Sequence, residues 1–160
     1  MMTEEKNKFL KLGKVKEVKG SIVNPENGGL RFILSINNMV GKPEGNPLLS
    51  IFDRKWPKVR AESKGWYGNK DRNYVLGAVH NVAVQSDVWV NMMLVQGDDL
   101  NVDLIGLKKA LVEVQKQAAA EQASVHVSNV LVDKVPELKQ LVSTCLVEKG
   151  TSVYFYTETA

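Results

Sequence analysis

Apolar positions along this chain change their period several times, and each change marks an element. Tyr74 to Gln96 holds two β-rich runs, VHNVAV and DVWVNMMLVQ, separated by Gln85-Ser86-Asp87. Val79, Val82, Val84, Val88, Trp89 and Val90 supply the β-branched and aromatic content that suits a pleated, packed surface. The second run continues through Met92, Met93, Leu94 and Val95 with almost no polar interruption. A strand covered on both faces has that pattern, whereas a half-exposed strand alternates. We read 88–95 as a central strand with helices on either side; a buried helix of this length is shorter than helices usually are.

The remaining elements follow from the same reasoning. Lys14 to Lys19 alternates lysine with Val15 and Val18 and reads as a strand closed by Gly20. Pro25, Asn27, Gly28 and Gly29 make a turn, and Leu30 to Ile36 is a second strand ending in Asn37-Asn38. A loop with Gly41, Pro43, Gly45 and Pro47 leads to Leu48, Leu49, Phe52, Trp56 and Val59 at helical spacing, which Pro57 must break or kink. Asp103 is placed to cap a long helix with Leu104, Leu107, Leu111, Val114 and Ala118 on its inner face. Ser124 to Val132 reads as a buried strand. Pro136 opens a last helix, with Leu138, Leu141, Val142, Cys145 and Leu146 inward, that Gly150 ends. Val153 to Tyr156 closes the chain. The order β, β, α, β, β, α, β, α, β predicts an α/β fold with three layers, α/β/α, around a mixed central sheet. The close strand pairs, 14–19 with 30–36 and 79–84 with 88–95, are expected to add antiparallel pairings.

Composition narrows the class. The 160 residues, 44% hydrophobic, suit one domain over 1–160, with residues 1–8 expected to be flexible. One cysteine fits a reducing compartment. No charged-then-apolar leader is present, and no apolar run reaches the ~20 residues of a membrane helix. A soluble, cytoplasmic protein is expected. The net charge of +3 is concentrated in residues 1–20, where six lysines face three glutamates. A second basic stretch, 52–72, carries seven lysines and arginines against three acids. Such patches can meet phosphates, but solvated helix faces carry them as readily, so charge alone does not make this chain a nucleic-acid binder.

Familiar catalytic signatures are missing: there is no GxxxxGK[ST], GxGxxG after a strand, HExxH or CxxC. His80 and His126 both fall inside strand-like runs and read as satisfied sheet residues, with no metal or cofactor implied. Ligands of open α/β sheets gather at the carboxyl ends of strands. Here that directs attention to 37–47, with Asn37, Asn38, Gly41 and Gly45, and to 128–135.

Four stretches give the chain a resemblance to the macro domain family, especially the branch acting on ADP-ribose derivatives. VKGSIVNP (18–25) is similar to the family's opening strand and turn, and ILSINN (33–38) to the strand ending in the ribose-binding asparagine. FDRKWPKV (52–59) resembles the helix after the glycine-rich loop. LGAVHNVAV, DVWVNMMLVQ, VDLIGLKKAL and SVHV, within 76–127, form the longest match.

The resemblance implies a ligand site built from Ser21, Ile22, Asn37, Asn38, Gly41, Gly45, Asn129, Val132, Asp133 and Tyr156. Within it the chain departs from the family pattern. Ser21 stands where the family carries an adenine-contacting aspartate, while Asn37 matches the asparagine on the distal ribose. The first phosphate loop is GKPEGNP (41–47), whose two prolines lack amide donors and whose Glu44 opposes a phosphate. The second, SNVLVDK (128–134), has no glycine for close backbone approach. Asp133 is the candidate catalytic acid, and no lysine lies near Gln96, where one branch has its nucleophile.

Two readings follow from the resemblance. One is a binding module for ADP-ribose or a related nucleotide with an altered pocket and at most weak hydrolase or phosphatase activity. The other is a macro-like fold that has lost its pocket and serves as a structural or protein-interaction module; a short, divergent domain of this kind suits a viral or phage protein in the host cytoplasm.

Overall fold

The computed structural model describes residues 11–69 and 73–159. The expected flexibility of residues 1–8 therefore lies outside the described residues. Six strands, β1 (Val15–Lys19), β2 (Arg31–Asn38), β3 (Val79–Gln85), β4 (Val88–Gln96), β5 (Ser124–Ser128) and β6 (Val153–Thr157), form one sheet in the order β1-β6-β5-β2-β4-β3. All neighbours run parallel except β3 and β4, which form the antiparallel hairpin expected around Gln85-Ser86-Asp87.

Five helices flank the sheet among the described residues: α1 (Leu49–Phe52), α2 (Lys58–Gly68), α3 (Leu104–Glu121), α4 (Asn129–Lys134) and α5 (Leu138–Cys145). Two adjacent residues of β3 show that both faces are covered. His80 stacks on Trp66 of α2, with ring centroids 5.2 Å apart, while Asn81 donates to Gln117 of α3 at 2.7 Å. Consecutive strand residues point to opposite faces, so α2 and α3 lie on opposite sides. The fold is the expected three-layer α/β/α arrangement around a mixed sheet.

β2 and β4 account for the continuous apolar runs. Phe32, Ile33, Leu34, Ile36, Val90, Met92, Met93, Leu94 and Val95 are all buried between the helical layers. Position 88–95 is interior, although one strand in from the edge; β5 and β2 are the two middle strands. Trp89 is half-buried and stacks on its cross-strand neighbour Phe32 at 5.5 Å. Pro57 divides α1 from α2 as its ring chemistry requires. The Asp103 side chain accepts from the Ile105 amide at 3.2 Å and caps α3.

Three expectations change. β1 does not pair with β2; it runs parallel to β6, from Val15 opposite Val153 to Lys19 opposite Thr157. The connection between β1 and β2 is too long for a tight hairpin, and β5 and β6 occupy the positions between them. The strand expected over 124–132 stops at Ser128, whose hydroxyl accepts from the Val130 amide at 3.1 Å and starts α4 at once. Leu104 is 43% exposed and belongs to the solvated first turn of α3, while Leu107, Leu111, Val114 and Ala118 form the buried stripe. Among the described residues no helix is long and apolar enough to cross a membrane.

Candidate functional site

Because β1, β6, β5, β2 and β4 run parallel, their carboxyl ends lie along one edge of the sheet. The residues expected in the site lie in or just beyond the ends of β1, β2, β5 and β6. They separate into two groups.

The first group is open. A cavity of about 340 Å³ lies between the end of β2, the loop 39–48 and α2. Ile36 and Leu49 give it apolar walls, and Asn37 sits at the strand end. Arg60, Ser63 and Lys64 come from α2, where spacings of three and four residues put them on one face. Lys42 approaches from the loop. The Ser63 hydroxyl donates to Asn37 Oδ1 at 3.1 Å. Arg60 pairs with Asp53, Nη2 to Oδ2 at 2.9 Å. Lys42 and Lys64 have no carboxylate partner among the described residues, so the cavity has a positive rim.

The loop beside this cavity is held by side chains that cannot also serve a ligand. Asn38 Oδ1 accepts from the amides of Val40 (3.1 Å) and Lys42 (3.0 Å), and its Nδ2 donates to the Lys42 carbonyl at 2.7 Å. Tyr74 donates to the Asn38 carbonyl at 2.7 Å. Burial pushes the Tyr74 phenol up, against a smaller opposing effect of the Asn37 side chain. Gly41 has φ +67°, and a Cβ there would stand 2.4 Å from the Tyr67 ring, so only glycine fits. Gly45 is buried beneath the loop and its carbonyl accepts from Gln96 Nε2 at 3.0 Å.

The second group is closed. After β1, the Ser21 hydroxyl accepts from the Val23 amide at 3.3 Å, and the Ile22 amide donates to Glu158 Oε2 at 2.7 Å. Glu158 follows β6; its own amide donates to Asn129 Oδ1 at 3.1 Å, and Ser128 Oγ reaches its Oε2 at 3.5 Å. The segments after β1, β5 and β6 are thus tied together by Glu158, through its carboxylate and its backbone amide. Beneath them Tyr156 is buried in β6, its hydroxyl accepting from the Glu26 amide at 2.7 Å and lying 2.7 Å from His126 Nδ1. Burial pushes the phenol up to about 12, so it keeps its proton, and that proton points to His126. His126 Nε2–H then donates to Ser124 Oγ at 2.8 Å. Burial, reinforced by the Arg31 charge, pulls the imidazole down to about 3, and His126 is neutral.

The fold therefore brings Asn37, Asn38 and Gly41 to one cavity and joins Ser21, Ile22 and Asn129 in a separate cluster. Tyr156 lies below that cluster with its hydroxyl committed to protein partners. Val132 and Asp133 sit on α4 rather than in a loop, with Asp133 exposed in its last turns. Sequence reasoning missed Arg60, Ser63 and Lys64, although their spacing on a basic helix beside the ligand loop was available as a signal. It also missed Glu158, for which there was none.

A wider groove of about 900 Å³ runs along edge strand β3, between Trp66 and the lysines of α3 at 108, 109 and 116. It gathers none of the expected residues, so its size does not make it the site.

Comparison with known proteins agrees with the fold. No protein-family model matches the sequence. No curated protein matches it either. Solved structures do match. A macrodomain protein from Streptomyces coelicolor superposes with TM-score 0.77 at 27% identity, covering 91% of this chain and 100% of that one. A protein from Bacteroides thetaiotaomicron gives 0.78 at 21% identity, covering 90% and 100%. The macrodomain of Thermus aquaticus DarG gives 0.66 at 15% identity, covering 91% and 99%.

Proposed function

We propose that this chain, which has the macrodomain fold, is a binding module for ADP-ribose or a related nucleotide. The ribose–phosphate part of the ligand occupies the cavity at Asn37. One observation carries this reading: the only strand end in the predicted site with space beside it, among the cavities described, is the end of β2, and three cations surround that space. Its ~340 Å³ is at the small end of the ~300–1,000 Å³ of small-molecule sites. That volume suits a phosphorylated ribose more than a whole dinucleotide. Lys42, Arg60 and Lys64 supply the charge that a phosphate needs, and Asn37 a hydrogen-bonding amide for a sugar hydroxyl.

The site is weak in the places where it departs from the family pattern. Prolines 43 and 47 remove amide donors from the first loop. The second phosphate loop is replaced by α4, which starts directly at Ser128. Losing two or three contacts at roughly 1 kcal/mol or more each weakens binding about 30-fold or more. We therefore expect ADP-ribose affinity no tighter than tens of micromolar, with no appreciable turnover of ADP-ribosylated protein or ADP-ribose phosphate, and Asp133 idle. Titration calorimetry with ADP-ribose, AMP and ribose 5-phosphate tests this. Submicromolar binding contradicts the weakened pocket, and no binding by any of the three removes the reading.

The closed cluster supports a second reading. Since the Ile22 amide is already taken by Glu158, a pocket lost at that end would leave the fold as a structural or protein-interaction module in the cytoplasm. Silence in all three titrations is the result that favours it.

A further inference from the structure

β3 closes one edge of the sheet and pairs with β4 alone. The Leu94 amide donates to the Ala78 carbonyl at 2.9 Å, which fixes the side of the chain that faces β4. Backbone groups alternate along an antiparallel strand. Ala78, His80 and Val82 therefore turn theirs to β4, while Val79, Asn81 and Ala83 turn theirs outward. The Ala83 carbonyl shows the outward direction, since Lys58 Nζ donates to it at 2.9 Å. The amides and carbonyls of Val79 and Asn81 have no such partner among the described residues.

An open edge is a template for pairing with another chain, and proteins blunt it with charge, proline or a bulge. At the opposite edge of the sheet, β1 (VKEVK) carries Lys16, Glu17 and Lys19 exposed. β3 (VHNVAVQ) has no proline, lysine, arginine or acid. Its far end is blunted by Lys58 and by the register shift between Ala83 and Gln85. Its first half is not.

That half opens on the groove of about 900 Å³, whose two walls differ. The Asn81 side chain donates to Gln117, so side chains at 79 and 81 face α3. There Lys108, Val112 and Lys116 are exposed at intervals of four and form one row. Lys109 stands beside Gly77, where an added Cβ would lie 2.9 Å from its own Cβ. The three lysines have no carboxylate partner among the described residues. Glu113, the acid on this wall, accepts from Gln117 at 2.8 Å. On the other wall Trp66 stacks on His80, and the Glu62 carboxylate lies 3.8 Å from His80 Nε2.

We infer that this edge is a docking site for an extended acidic peptide, a segment of a partner protein that adds to β3 as a seventh strand. Its backbone satisfies the outward groups of Val79 and Asn81. Successive side chains of a strand point to opposite faces, so every second residue meets the lysines of α3 and those between meet Trp66 and His80. The fitting segment alternates acidic with apolar residues. This docking goes beyond the nucleotide reading and makes no use of the Asn37 cavity.

Fluorescence anisotropy with a labelled peptide alternating glutamate and valine provides the test; about eight residues at ~3.3 Å each span β3. The parent should bind it, and the same peptide with lysine for glutamate should bind about 10-fold more weakly or worse. Lys108→Glu combined with Lys116→Glu should weaken the glutamate peptide about 10-fold or more, with ribose 5-phosphate affinity unchanged within about 2-fold. N-methylated peptides read the backbone without altering the protein. A strand presents only alternate amides to β3, so methylating the glutamates or the valines should abolish binding, and methylating the other set should spare it. No binding of the glutamate peptide by the parent overturns the assignment. Equal binding of the two charge forms, or equal effects of the two methylated sets, overturns it also. A single-stranded oligonucleotide that binds through the same lysines and displaces the peptide assigns the groove to nucleic acid instead. A dimer of the chain that Val79→Pro disperses, with no peptide bound, makes the edge a contact between copies and ends the inference.

Discussion

The two ends of the carboxyl edge are built from the same kind of element, a parallel strand running into a loop or helix, yet they differ in what their polar groups do. At the β2 end, Lys42 and Lys64 face a cavity without carboxylate partners among the described residues, and Ser63 and Asn37 pair at its wall. At the β1, β5 and β6 ends, Ser21, Ile22, Ser128, Asn129 and Glu158 bond to one another, above a buried relay of Glu26 amide, Tyr156, His126 and Ser124. Polar groups that satisfy each other stabilise the fold; polar groups that await a partner bind. The difference predicts that substitutions at the closed end act mainly on stability and those at the open end mainly on affinity.

The largest expected effect comes from Tyr156→Phe. It deprives the Glu26 amide of its acceptor and His126 Nδ1 of its donor, at roughly 1–3 kcal/mol for each group left unpaired. We expect a loss of about 2–4 kcal/mol in urea unfolding, with ribose 5-phosphate binding retained. A variant as stable as the parent would erase the distinction between the two ends.

Acid provides the next measure. His126 titrates near 6.5 when unfolded but is pulled down to about 3 in the fold. The unfolded chain therefore takes up the proton first. Stability from this group is complete above pH 6.5 and declines as the pH drops through 6.5 towards 3. Between pH 7 and pH 5 the decline should be about 2 kcal/mol. Urea midpoints at the two pH values read it. An imidazole resonance of His126 that titrates between them would contradict a neutral, buried ring.

The smallest effect sharpens the other side. Asn37→Ala should weaken ribose 5-phosphate by about 1–2 kcal/mol, the scale of a lost hydrogen-bond partner, while the melting temperature stays nearly unchanged. Affinity equal to that of the parent would show that the cavity's wall at Asn37 does not touch the sugar.

Much of the scaffold was legible because local patterns decide it. The continuous apolar runs of β2 and β4 demand cover on both faces, Pro57 cannot continue a helix, and Asp103 offers a carboxylate to free amides. Asn37 and Gly41 line the cavity beside β2, as their place at or just after the end of such a strand suggested. Ser128 was not legible in this way: a serine after a β-branched run can extend a strand or cap a helix, and the hydroxyl decides only when its own chain turns back. Trp89 belongs to the strand expected to be covered on both faces, but its position beside the hairpin turn leaves it only half-buried, stacked on Phe32.

By itself the sequence determined the alternation of strands and helices, because side-chain period and backbone chemistry act over a few residues. Only the tertiary structure decided that β1 joins β6, that α2 brings Arg60, Ser63 and Lys64 to Asn37, and that Glu158 reaches Ile22 across 136 positions of chain. Parallel pairing links residues far apart in sequence, so no local pattern encodes the partner. A hydrogen bond between distant segments exists only once the sheet has set their strand ends side by side.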